Sequence, residues 1–351
     1  MLHFDQHEQY SNLMNIKLDQ ANKRRYSDAM DTKNRLKRKR IMTVNEFRLQ
    51  FGDEAQCEKY LTEQRWPQGF VCPRCGGRSR GYLVSRRLHE CAACGYQCSI
   101  TAGTIFHKTR VALRSWFWAL YRMSQDKKGL PALQLSKEID VSYPTAWLMQ
   151  HKIRKAMADR DQGYQLKGLI EVDEGYVGGK EEGIERKGRG ALTKSVVAVA
   201  VEHAGPGIED PKPIPGFAAL AVLPDASADS LQGFVQAKAQ AGSRLLSDGW
   251  PGYRGLEQRG FQHTAVPLRG DPKAAHRLFP WVHITLSNLK RFLLGTHHKV
   301  EPRHLPRYVA EFAYRLNRRT MERDLFQRLV RACLATDTII YKDLTTLPEL
   351  A

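Results

Sequence analysis

Cys72, Cys75, Cys91 and Cys94 are spaced as C-x2-C, fifteen residues, C-x2-C. Two residues between thiolates let both point at one edge of a tetrahedron, and the loop is long enough to bring the second pair around to close it. Four thiolates leave no open coordination position, so the spacing predicts a structural zinc site rather than a catalytic one. Gly76, Gly77 and Gly95 supply the tight backbone at each knuckle. Cys98 lies outside this register, and Cys57 and Cys333 read as buried small hydrophobes. Seven cysteines in a chain of this length do not suggest the disulfide framework of a small secreted domain.

A second chemistry rests on two aspartates. The run 166–173 ends on Asp173 and the run 243–248 on Asp248, each followed by glycine-rich chain, EGYVGG and GWPG. Carboxylates at the ends of adjacent strands can share hard divalent cations, and Mg²⁺ commonly takes one or two protein carboxylates together with substrate phosphate. A pair of such ions activates a water or hydroxyl and stabilises the leaving oxygen of a phosphodiester. Singly, either aspartate is an ordinary turn residue or helix cap. Together, in a strongly basic chain, they point to nuclease or strand-transfer chemistry.

The elements that must hold these residues follow from pattern. Residues 166–173, 191–202, 216–223, 243–248 and 261–268 read as strands, with an amphipathic helix at 228–241. Strand, strand, strand, helix, strand, helix is an α/β order that fits an RNase H-like sheet better than a doubly wound one. Five segments are expected: a basic arm or upstream in-frame extension at 1–41; a helical lead-in and zinc ribbon at 42–108; a helical, helix-turn-helix region at 109–160; the RNase H-like catalytic domain at 161–330; and a tail at 331–351.

Within the third segment, LQLSKEI (133–139), a turn, and YPTAWLMQHKIR (143–154) read as a helix-turn-helix, with Ser142 as N-cap and Pro144 in the first turn. The second helix is expected to present Thr145, Gln150, His151 and Arg154 to a major groove. A plain helical hairpin is the alternative. The aromatics of RSWFWALYRM (114–123) are expected in a core rather than on a base-stacking surface.

The chain has 351 residues, 42% of them hydrophobic, enough for two or three cored domains and too many for a purely disordered protein. Lys and Arg number 55 against 37 Asp and Glu, a formal +18 at pH 7, and such a field attracts polyanions. The longest apolar runs, 195–201 and 217–223, are about a third of a membrane span. The first twenty residues show no apolar signal core. The expectation is a cytoplasmic, nucleoid-associated protein with double-stranded DNA as partner and no membrane.

IEVDEGYVGG (170–179), LLSDGWPGY (245–253) and SNLKRFLLGTHHKVEPRHLPRYVAEFAYRLNRR (287–319), behind RWPQGFVCPRCGG and CGYQCSITAGTIFHKTR, resemble the bacterial insertion-sequence transposases with an amino-terminal zinc ribbon, the group related to Merlin elements. The resemblance covers about residues 43–330. It implies a DDE-type transposase that binds terminal inverted repeats, cleaves there with Mg²⁺ or Mn²⁺, and joins the ends to target DNA as a homo-oligomer. Asp173 and Asp248 match the family's first two acidic ligands, and Lys290 matches the lysine that contacts terminal DNA. The family's Glu or Asn seven residues before that lysine is here His283, which is either the third ligand or a core or DNA-facing histidine. Imidazole suits Mn²⁺ or heavier ions better than Mg²⁺. Arg291, His297, His298, Lys299, Arg303, His304 and Arg307, continued by Arg315, Asn317, Arg318 and Arg319, read as a phosphate-contacting basic surface. The alternative function is a catalytically inactive, transposase-derived DNA-binding regulator.

Overall fold

The computed structural model describes residues 41–178, 194–204, 214–266 and 278–345. The basic arm, but for Ile41, lies outside the described residues, as does Gly179. By their contacts the described residues form two units: 164–294 with 299–309, and 41–163 with 295–298 and 310–345.

The helical unit begins with α1 (Val44–Phe51) and α2 (Glu54–Arg65). Both start at reciprocal capping boxes, Thr43 with Glu46 and Asp53 with Gln56, which satisfy the donors that an α-helix leaves open at its start. The ribbon follows as an antiparallel sheet of β1 (Arg80–Leu83), β2 (Leu88–Cys91) and β3 (Gln97–Cys98). Three helices come next: α3 (Leu113–Gln125), α4 (Ala132–Glu138) and α5 (Tyr143–Asp161). The Ser142 side chain accepts the Thr145 backbone N–H at the start of α5. Trp116, Phe117 and Tyr121 of α3 are buried, as the sequence suggested.

The other unit holds a mixed sheet in the order β6-β5-β4-β7-β8. Its strands are β4 (Leu169–Val177), β5 (Ser195–His203), β6 (Pro215–Leu223), β7 (Arg244–Ser247) and β8 (Gln262–Ala265). β4, β5 and β6 are antiparallel neighbours, whereas β7 and β8 run parallel to β4. Helix α6 (Ala228–Lys238) makes the crossover to β7. Its Leu231, Phe234 and Val235 share a core with Ile170, Val172, Ala198, Ala200 and Leu245. On the other face of β4 lies α7 (Pro280–Phe292), buried through Val282, Leu286 and Leu289.

Three helices complete the chain: α8 (Leu305–Asn317), α9 (Leu325–Ala335) and α10 (Tyr341–Thr345). Phe326, Leu329, Val330, Cys333 and Leu344 sit in one apolar cluster with Phe47, Phe51, Phe117, Leu120, Ile153 and Met157. Residues 331–345 therefore pack on the helical unit through Ala332, Cys333, Ile339 and Leu344 and do not form the expected tail, because α9 supplies the apolar face that covers α1, α3 and α5. For the same reason 310–330 group with the helical unit and not with the sheet. Among the described residues no helix is long and apolar enough to cross a membrane.

Candidate active site and metal centre

β4 alternates, as a strand must. Ile170 and Val172 face the α6 core, and Glu174 joins them on that side, accepting the Tyr253 hydroxyl at 3.0 Å. Glu171, Asp173 and Gly175 face α7. Glu171, with no solvent exposure, accepts His203 Nε2 at 2.6 Å and the backbone N–H groups of Trp281 and Val282 at 2.9 and 3.0 Å. Asp173 Oδ2 lies 3.7 Å from His283 Nδ1. At Gly175 an added Cβ would stand 2.8 Å from Leu286 Cδ2, so a larger residue there requires the Leu286 side chain to shift. Three successive residues on one strand face thus meet successive positions along α7.

Asp173 does not end its strand, as expected, but sits at its middle. β5 pairs with β4 as far as Val177, whereas β7 pairs only to Glu171, opposite Leu246. Asp173, within β4, and Asp248, just past the end of β7, each stand two residues beyond that last parallel pair. Asp248 opens a tight loop in which its Oδ1 accepts the Trp250 N–H at 3.0 Å. Gly249 takes a φ of +81°, and Gly252 has Leu231 and Trp250 where a Cβ would go. The phenol of Tyr253, in the same loop, is raised well above its ordinary pKa by burial and by the charges of Glu174, Asp173 and Asp248. Lys290 and Arg291 are exposed on α7, with Lys290 two turns beyond His283.

The structure brings Asp173 and His283 together and sets Asp248 just past the end of the adjacent strand. The three do not close to mutual ligand spacing. Among the described residues, Cys72, Cys75, Cys91 and Cys94 are the one group of three or more His, Cys, Asp or Glu whose ligand atoms all lie within 4.8 Å of one another. Cys72 and Cys94 Sγ are 3.7 Å apart, Cys75 and Cys91 Sγ 3.6 Å. Four sulfurs at about 2.3 Å from one zinc are separated by about 3.8 Å, so the donor set fits the ion. Gly76 and Gly95 have φ of +74° and +67°, and a Cβ on Gly77 would lie 3.0 Å from Cys91 Sγ. Cys57 and Cys333 are wholly buried, and burial pushes the Cys57 thiol up to about 12.

Several expected DNA contacts are not at the surface. Thr145 is half-buried, while Gln150, His151 and Arg154 are buried inside the helical unit. Gln150 donates to the Leu130 carbonyl at 2.9 Å, His151 stacks on Trp147, and Arg154 Nε donates to Glu311 at 2.7 Å. The middle of α5 packs against other helices, so Gln150, His151 and Arg154 face buried partners and not a base edge. His297, Asn317 and Arg318 also depart from the expected basic surface. His297 is held at about 4 by burial and then by Arg154, and is therefore neutral at pH 7. Asn317 and Arg318 are buried, and Arg315 donates to the Asp126 carbonyl. Glu171, His203 and Tyr253 went unnoticed in the sequence; the available signal was a charged residue two positions before Asp173, on the same face of the strand.

Residues 165–317 match the ISXO2-like transposase domain and residues 52–97 the transposase zinc-ribbon domain. The uncharacterized protein in transposable element ISH50 of Halobacterium salinarum is 26% identical over 304 residues, covering 82% of this chain and 96% of that protein. A chain in the crystal structure of the Mos1 strand transfer complex aligns at 12% identity over 64% of this chain and 78% of its own, with a TM-score of 0.20. With its four-cysteine ribbon and its sheet domain matched in order, the chain belongs to the DDE-type insertion-sequence transposases that carry an amino-terminal zinc ribbon.

Proposed function

We propose that the chain is an active DNA transposase, with an RNase H-like catalytic domain, that cleaves at terminal inverted repeats and joins the freed ends to target DNA. The observation that carries this reading is the 3.7 Å approach of His283 Nδ1 to Asp173 Oδ2, with Asp248 just past the end of the neighbouring strand. Donors about 2.1 Å from one divalent ion lie about 3.0 Å apart in cis and 4.2 Å in trans, so this spacing suits a shared ion. Asp173, Asp248 and His283 would hold Mg²⁺ or Mn²⁺, which lowers the pKa of an attacking water or hydroxyl and stabilises the leaving oxygen.

The chain's own residues then position the DNA. Lys290 and Arg291 neutralise phosphates beside the carboxylates, and the ribbon, with the start of α5 at the exposed Tyr143 and the half-buried Thr145, contacts the element's end. The four cysteines hold a structural zinc that keeps the ribbon folded. The α4–α5 pair is read as a helix-turn-helix whose buried half stabilises rather than reads DNA. Two ends must be held together, so the working form is a homo-oligomer, in the cytoplasm at the nucleoid.

The test is cleavage of duplexes carrying the element's ends. Wild type should cut with Mn²⁺ faster than with Mg²⁺, and Asp173→Ala or Asp248→Ala should abolish cutting. His283→Glu should move the preference toward Mg²⁺. Cutting that survives both aspartate changes overturns the assignment; specific binding without scission under either ion would leave a DNA-binding regulator.

A further inference from the structure

The ends of α5 and α8 and the exposed side of α9 line a pocket of about 330 Å³ in the helical unit. Arg160, Arg318, Arg328 and Arg331 line it with Tyr314 and Asp324, and no lysine does. Four guanidiniums meet two carboxylates, Asp324 and the Asp161 that holds Arg318, which leaves a surplus of two positive charges. All but Tyr314 lie outside both segments matched to known domains.

Part of this pocket is preset. Arg318, nearly devoid of solvent exposure, donates from both terminal nitrogens to Asp161 at 2.9 and 2.5 Å, and its guanidinium lies 3.6 Å from the centroid of the Tyr314 ring. Arg331 Nε donates to Gln64 Oε1 at 2.8 Å. The Tyr314 hydroxyl is buried with no hydrogen-bond partner, a condition that native interiors rarely leave uncompensated. Guanidinium is the side-chain group whose planar fork matches phosphate oxygens in pairs, and several around one concavity raise a local positive potential that attracts an anion.

We propose that this pocket seats backbone phosphates of duplex DNA, as a contact separate from the ribbon and from α7. The proposal rests on the reading of the chain as a DNA transposase. Free phosphate shares the same chemistry, but the open rim formed by the exposed Arg160, Arg328 and Arg331 favours a continuous diester chain over a small enclosed anion.

The experiment measures affinity of the full chain for a labelled duplex of arbitrary sequence against salt, without added Mg²⁺ or Mn²⁺. Each phosphate contact contributes about 0.9 to the slope of log K against log salt. Arg160→Ala/Arg328→Ala should flatten the slope by about one to two, Arg328→Ala alone by about one, and Arg328→Lys by less. Arg48→Ala, an equal charge loss at an exposed position on α1, should leave the slope unchanged. Melting midpoints close to wild type would show that the variants fold, and Arg328, being exposed, is the safeguard if the double variant does not. An unchanged slope in the Arg328 variant, or an equal change with Arg48→Ala, overturns the proposal. If inorganic pyrophosphate raises the wild-type melting midpoint while the variant's DNA slope stays at the wild-type value, the pocket serves free phosphate and the proposal also falls. Wild type that binds no duplex at all overturns the transposase reading with it, whereas wild-type binding with an unaltered variant slope counts against the pocket alone.

Discussion

The buried Glu171 carboxylate accepts the backbone N–H of Val282 at 3.0 Å, so a side chain of the sheet closes the first turn of the helix that carries His283. Phe279, the residue at that helix's own N-cap, makes no side-chain cap. The cap therefore comes from β4, two residues before Asp173, and ties the spacing of Asp173 and His283 to one carboxylate. Glu171→Ala strips its acceptor from two helix donors and from His203, and should cost about 3 kcal/mol in urea unfolding. Glu171→Gln keeps an acceptor oxygen and should recover part of that loss. End cleavage should fall with the alanine variant even under conditions where it stays folded. An alanine variant as stable as wild type would show that the cap does not hold the helix.

Gly175 is a second constraint on the same approach. Alanine there places a methyl 2.8 Å from Leu286, and overpacking of this kind costs roughly 1–3 kcal/mol. Gly175→Ala should lower both melting midpoint and cleavage. Adding Leu286→Ala clears the space and should restore cleavage more than it restores stability, since it also removes a buried side chain. If the double variant cleaves no better than Gly175→Ala, steric displacement of α7 is the wrong account.

The ribbon depends on its ion in a directly measurable way. A small sheet whose apolar cluster is Phe70, Cys72, Cys91 and Cys98, with Trp66 and Ala102 packed against them, has little else to hold it. Purified chain should carry a single zinc per molecule, and Cys75→Ser or chelation should remove it. Limited proteolysis should then cut within 67–100 while α3 and α5 remain resistant. A metal-free ribbon that resists protease as well as the loaded one would contradict this.

Acid stability should show the signature of His297. Its imidazole titrates near 6.5 when unfolded and is held down to about 4 in the fold, by burial first and by Arg154 next. Between those values the unfolded chain binds a proton that the folded chain refuses. Stability is therefore fully present above pH 6.5 and lost as pH falls toward 4, by at most about 3 kcal/mol. Burial raises the Glu311 carboxyl, but Arg154 and Arg315 more than offset it and hold it below the usual range, so its share is lost only at lower pH. His297→Leu should flatten the fall in melting midpoint between pH 7 and pH 5. An unchanged fall would mean that other groups set the acid limit.

Much of the sheet was legible because its signals are local. The valine and alanine run of β5 and the apolar face of α6 predict the two elements, expected at 191–202 and 228–241 and found at Ser195–His203 and Ala228–Lys238, and the cysteine spacing alone predicts the ribbon's thiolate cluster. The pairing of Asp173 with His283 came through the resemblance and not through periodicity. What was hidden depends on distant partners. Arg154 looks like a groove-facing residue on a polar helix until Glu311, 157 residues away, is seen to hold it inside. Glu171 looks like an ordinary strand charge until the uncapped start of α7 lands on it. The tail expected from 331 failed for the same reason: an amphipathic helix at the end of a sequence does not announce which face it will cover.

That last helix sets the order in which the protein can come into being. Phe47, Phe51 and Phe117 leave the ribosome long before Phe326, Leu329 and Val330, with the whole sheet unit synthesised in the interval. At ordinary elongation rates the aromatic wall waits roughly tens of seconds for its cover. A nascent or truncated chain that stops before α9 carries an open apolar face, fit for chaperones or proteases and not for holding DNA. The helical unit, begun at α1, is finished only when α9 has emerged.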